Sequence, residues 1–137
     1  MKKLAVIVTR GSYNNVLQAC DFARIAVASG AQVSVLFRDE AAARLTTTKV
    51  GDLQLSDAYK GRESRVREIL RGRKLHDLPA ILREIKEKGE AKFSVCRDSL
   101  DYFEIGMDQI IPELDEVQRA ESFWKEAVIP ADKVVTF

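Results

Sequence analysis

Leu4-Ala5-Val6-Ile7-Val8 is an unbroken apolar run, the pattern of a strand covered on both faces in the middle of a parallel sheet. Thr9 to Asn15 then supply turn and capping residues, and the period changes. Val16, Ala19, Cys20, Ala23 and Val27 recur at three- and four-residue steps, with Leu17, Ile25 and Ala26 widening the stripe. This predicts a helix that Gly30 ends. Ala31 to Phe37 alternates in part and predicts a second strand, so the first three elements form an ordinary right-handed βαβ unit. Asp39 to Leu45 reads as a short helix or turn, and Thr46 to Gly51 as a loop or weak strand.

The middle of the chain predicts two helices. One runs from Ser56 to about Lys74 with Ala58, Val66, Ile69 and Leu70 inward and with Gly61 and Gly72 weakening its ends. The other starts at Leu78-Pro79, is carried by Ile81, Leu82 and Ile85, and closes at Gly89. Ala91 to Val95 is the third strand. A short helix is expected from Ser99 to about Ile105, stopped by Gly106, followed by a turn or extended stretch from Met107 to Pro112. Leu114 to Val117 then links to a last helix over Gln118 to Ala127, and Lys133 to Phe137 reads as the final strand. The βα alternation predicts an α/β fold over residues 1–137: a single-domain three-layer sandwich, with a mostly parallel sheet of about four or five strands and helices on both faces.

Composition narrows the class without naming a function. With 137 residues and 46% hydrophobic residues, the chain can bury a core without disulfides or metals. The 22 basic and 21 acidic residues leave a formal charge of +1, so no overall field draws in nucleic acid, and such a partner is not expected. Two cysteines without a CxxC and one histidine, His76, fit no zinc pattern and no disulfide framework. The five apolar residues near the N-terminus are too few for a signal core or a membrane span, so a cytoplasmic protein with reduced thiols is expected.

Charge is unevenly placed. Lys60 to Lys74 carries seven basic residues against two acidic, or +5, and forms a basic helical insert within 52–78. It reads either as a solvated face or as a dock for an anionic partner. Asp98 to Glu126 carries nine acids against Arg119 and Lys125, or −7, and two opposite patches on one chain suit head-to-tail self-association.

In an open α/β sheet the ligand crevice lies beyond the carboxyl ends of the strands. That places Thr9, Arg10, Gly11 and Ser12, the pair Arg38-Asp39, and Cys96, Arg97, Asp98 and Ser99 as candidates. Cys96 ends a strand at a helix start, where unpaired N–H groups favour an anion. Arg97 is expected to bring a cation to the thiol, Asp98 or Ser99 to cap the helix, and the Asp98 carboxylate to oppose ionisation. The plain alternative is a buried structural cysteine. Arg10-Gly11-Ser12 is no dinucleotide or Walker loop, although a small anion fits the helix start behind it. His76 reads as a solvent-facing turn residue, Cys20 as core, and Phe123-Trp124 as core or interface packing.

Taken together, the first strand and helix, the second strand, the closing Ala131 to Phe137, and above all Phe93-Ser94-Val95-Cys96-Arg97-Asp98-Ser99 resemble the DsrE/DsrF-like family of small sulfur-handling proteins. The resemblance implies that Cys96 carries a persulfide, with Ser99 at the family's serine spacing three residues later. It further implies sulfur donors and acceptors, proteins or small thiols, as partners, a homo-oligomer, and no metal or other cofactor. The basic insert departs from the family pattern. The alternative to sulfur carriage is a non-catalytic oligomeric module that binds a small anion or a protein partner.

Overall fold

The computed structural model describes all residues, Met1–Phe137. Its sheet is wholly parallel and has five strands: β1 (Lys3–Val8), β2 (Gln32–Phe37), β3 (Ala91–Cys96), β4 (Glu116–Gln118) and β5 (Lys133–Thr136), in the spatial order β4-β3-β2-β1-β5. The chain therefore walks in one direction from β1 to β4 and returns once to the far side of β1. Right-handed crossovers put the helices of all same-direction steps on one face and the helix of the return step on the other. The two outer layers are unequal for that reason.

The thick layer holds α1 (Tyr13–Ala28) and α4 (Leu78–Lys88), with α3 (Glu63–Gly72) on the outer side of α1. Val16, Ala19, Cys20, Ala23, Ala26 and Val27 of α1 pack on Leu4, Val6, Val33, Val35, Phe37 and Phe93 of the sheet. The Phe37 and Phe93 rings lie 6.3 Å apart. Each buried ring contributes about 1.5–3 kcal/mol. Ile25, expected in the stripe, is exposed. α1 ends where Gly30 takes φ +90°, with Ala31 N–H donating to Ala26 O and Gly30 N–H to Val27 O, the paired bonds of a left-handed helix stop. The thin layer is α6 (Ala120–Phe123), which continues as a single π-helical stretch, Trp124–Val128.

Several predicted elements need correction. The expected helix over 56–74 is a 3-10 turn (Asp57–Tyr59) and then α3, broken where Gly61 takes φ +85°. Ala58 is consequently exposed. β4 occupies the end of the predicted link at 114–117 and Gln118, the expected start of the last helix, and that helix is shorter and partly π. The helix after β3, α5 (Arg97–Tyr102), begins two residues before the expected Ser99. Thr46 makes only an isolated bridge to Ile110.

The 52–78 segment is held by backbone contacts, not draped loosely. Tyr13 is fully buried and donates its hydroxyl to Leu75 O at 2.6 Å, its N–H donates to Gln54 O, and Arg67 Nε donates to Leu53 O. Arg44, at the end of α2 (Asp39–Arg44), sits buried and donates to Gly11 O, Lys49 O and Asp52 O. Gly11 is a packing requirement in the same corner, because a Cβ there would lie 2.3 Å from Glu40 O. Gly11→Ala is therefore expected to cost about 1–3 kcal/mol through forced backbone movement. A thermal melt checks it, and an unchanged midpoint would show that the β1–α1 turn has slack that its contacts do not reveal.

Candidate functional site

β3 runs into α5 with no intervening loop, so Cys96 is both the last strand residue and the N-cap of the helix. Its backbone is extended, φ −72° and ψ 125°, as an N-cap requires. In that position a serine or aspartate oxygen would accept the N–H groups two and three residues on. Here a sulfur stands in the oxygen's place; the thiol makes no side-chain cap hydrogen bond, and the Asp98 and Ser99 N–H groups favour its anion. Neither of those residues caps the helix, which corrects the expectation that one would. α5 has only six residues, so these local N–H groups matter more than any long helix dipole.

Burial raises the Cys96 pKa, and four donors more than offset it: Ser99 N–H, the Ser99 hydroxyl, the Arg38 guanidinium and Asp98 N–H. The thiol ionises below its ordinary range. The cation beside the sulfur is Arg38, the residue after β2, in place of the expected Arg97. Contact with Cys96 is also the leading cause that raises the Arg38 pKa. Arg38 Nε is buried and has no hydrogen-bond acceptor. A donor left so beside a neutral thiol gains its acceptor when the thiol becomes an anion. Arg97 instead faces Asp101 at 3.7 Å and the Met107 sulfur at 3.8 Å. The Asp98 carboxylate pairs with Arg119 at 3.0 Å.

Ser99 has a second duty. Its Oγ accepts the Asp39 N–H at 2.8 Å, and Asp39 holds the strained φ of +48°. A hydroxyl can do both, since it has one proton to donate and two lone pairs. Ser99 thereby clamps the β2–α2 turn, and with it Arg38, against the start of α5.

The thiol is covered. Cys96 has 0% exposure and packs with Ala5, Leu36 and Phe123 beneath the thin layer. A groove of ≈ 310 Å³ lined by Arg97, Gln118, Arg119 and Ser122 runs beside it. Cys20 lies in the other core, across the sheet, and burial pushes its pKa up to about 12. Both cysteines are free. The residues after β1 serve elsewhere. Thr9 bonds to Phe137 O at the end of β5, Arg10 is exposed, and Gly11 and Ser12 line a separate cavity of ≈ 510 Å³ with Arg44 and Lys49. No three metal-ligating side chains cluster anywhere in the chain.

The fold has counterparts among known proteins. A family model described as DsrE/DsrF-like matches residues 2–137. The chain belongs to the DsrE/DsrF-like family. The structure is similar to that of the YchN protein from E. coli, with a TM-score of 0.64, 15% identity and complete coverage of both chains. It is also similar to MTH1491 from Methanobacterium thermoautotrophicum, a protein of unknown function, with a TM-score of 0.65, 12% identity, and 98% and 99% of the two chains covered. Among curated proteins, none matches significantly.

In this DsrE/DsrF-like chain, residue order alone marked the end of β3 as a site but did not mark Arg38 as the partner of its sulfur. The signal was present: Arg38 directly follows the strand that pairs with β3, in which Phe37 lies opposite Val95. His76 is exposed, as its polar turn suggests. Phe123 is buried over the thiol, whereas Trp124 is 58% exposed. No helix is long and apolar enough to cross a membrane.

Proposed function

We propose that Cys96 accepts a sulfane sulfur as a persulfide and passes it on. The Cys96 thiolate attacks the outer sulfur of a donor persulfide, R–S–SH. A new S–S bond forms, the donor's S–S bond breaks, and R–S⁻ leaves and takes up a proton. An acceptor thiolate then attacks the outer sulfur of Cys96–S–SH, and Cys96 departs as the thiolate. No net oxidation occurs in either half, so no external oxidant, metal or nucleotide is needed. A lowered pKa supplies the anion for the first half and makes Cys96 a better leaving group in the second. Donors and acceptors are other proteins or small thiols, and a homo-oligomer is the expected working form.

The observation that carries this reading is the set of donors that favour one sulfur's anion: two N–H groups, a hydroxyl and an arginine whose buried Nε has no acceptor. Complete burial of Cys96 favours the rival reading, a structural cysteine in an anion- or protein-binding module. Alkylation rate against pH separates the two, measured on Cys20→Ser protein so that one thiol reports. The proposal expects a rate that reaches half its plateau below the unperturbed thiol value of ~8.5. A thiol that stays unreactive until it is denatured, or that titrates at or above that value, removes the chemical basis for sulfur carriage.

A further inference from the structure

The two charged halves of the chain are treated differently by the fold. In the acidic stretch, Asp98, Asp101, Glu113, Asp115, Glu116 and Glu121 pair with Arg119, Arg97, Arg83, Lys86, Lys92 and Lys125. Glu126 accepts from Gln118, so only Glu104 and Asp108 lack a side-chain partner there. In the basic stretch Arg65 alone has a carboxylate, Glu68 at 3.3 Å. Lys60, Arg62, Arg71, Arg73 and Lys74 are exposed and have none. The acidic stretch of a second copy consequently offers few free acids to meet them, which weakens the case for head-to-tail pairing of these two patches.

Lys60 directly follows Tyr59 in the chain, Arg71 directly follows Leu70 and Lys74 directly precedes Leu75, and Tyr59, Leu70 and Leu75 line a mostly apolar groove. Between α1 and α3 lies a cavity of ≈ 190 Å³ with Leu17, Tyr59, Val66, Leu70 and Leu75 in its wall, large enough for one big apolar side chain, and with Asp21 on its α1 side, where Arg24 pairs with that carboxylate at 2.7 Å. Nucleic acid would use such a basic surface through stacked bases, and Tyr59 is the one aromatic in the groove. An aliphatic slot beside unpaired arginines suits a different ligand, an apolar anchor flanked by carboxylates. We propose that the α1–α3 groove docks an acidic segment of another protein, with one apolar side chain seated in the groove and its acidic neighbours on the α3 cations. This surface lies between the insert and α1 and is independent of Cys96.

Fluorescence anisotropy with a labelled peptide, one leucine flanked on both sides by glutamates, tests it. Saturable binding that weakens with added salt is expected. Arg71→Glu with Arg73→Glu should weaken it by about tenfold or more, and Arg71→Lys with Arg73→Lys should largely retain it. Gln18→Trp, at an exposed position on the groove's edge, should weaken it comparably by filling the slot. Both sites are on the surface, so either variant reports if the other misfolds. Binding unchanged by both variants overturns the proposal. Tighter binding of an oligothymidylate that Gln18→Trp does not disturb overturns it in favour of nucleic acid, and loss of self-association in the double reversal, with no peptide binding by the parent protein, overturns it in favour of a second copy.

Discussion

Incubation with a polysulfide is expected to add one sulfur atom to Cys96 and none to Cys20. Both thiols are buried, but they differ in ionisation and in what covers them. Cys20 sits in the thick core with no donor aimed at it, and with a pKa of about 12 its thiolate fraction near neutral pH is of order one in a hundred thousand. Cys96 has its pKa lowered and lies under one short helical segment. Mass spectrometry of the intact protein should show a single increment that a reductant removes. Cys96→Ser should abolish the increment and Cys20→Ser should leave it whole. An increment that survives Cys96→Ser would place the reactive sulfur elsewhere and end the sulfur-carrier reading, whatever the family resemblance.

Access to Cys96 is the step on which that result depends, and the topology explains why the cover is slight. Only the return from β4 to β5 lays a helix on this face, and it is a four-residue α-helical turn followed by a π stretch in which Ile129 N–H reaches back to Trp124 O. Such wide turns have poorer hydrogen-bond geometry than an α-helix and recur at functional sites. Phe123 is the main apolar contact from this segment to the thiol. Opening therefore requires moving one aromatic side chain and a short segment, with the rest of the core undisturbed.

Strong local patterns made most of the fold legible. The apolar runs of β1 and β3 and the stripe of α1 point to buried central elements, and they are buried. β4 escaped because it is a three-residue edge strand, Glu116-Val117-Gln118, and edges carry charge where central strands carry aliphatics. The helix expected over 56–74 failed at Gly61, whose positive φ breaks a periodicity that residue types alone continue. At the site, the position of Cys96 at a strand-to-helix junction could be read from order alone. The identity of its cation could not, because Arg38 reaches the sulfur only through the β2–β3 pairing, 58 residues distant in sequence from the thiol it serves. Arg97 was the neighbour in sequence, but the N1 position of a helix directs its side chain away toward Asp101.

Replacing either side-chain donor should shift the Cys96 titration upward, and the two replacements should part company on stability. Ser99→Ala removes one donor to the thiolate and the acceptor of the Asp39 N–H, which leaves a part-buried amide unsatisfied at a strained turn. That costs about 1–3 kcal/mol in folding stability. Arg38→Met removes the guanidinium whose Nε has no other acceptor, so its melting temperature should change little or rise. In alkylation the sign depends on pH. If the loss of one donor costs the anion about 1.4 kcal/mol, the thiolate fraction below the titration falls roughly tenfold, while the more basic sulfur becomes roughly threefold more nucleophilic. The net rate is then about threefold lower near neutral pH. Above both titrations all the sulfur is ionised, and the variant should react about threefold faster than the parent. The two rate curves therefore cross as pH rises. Curves that stay parallel would mean that the variants alter access to the thiol and not its charge, and curves that coincide would mean that Arg38 and Ser99 do not act on Cys96.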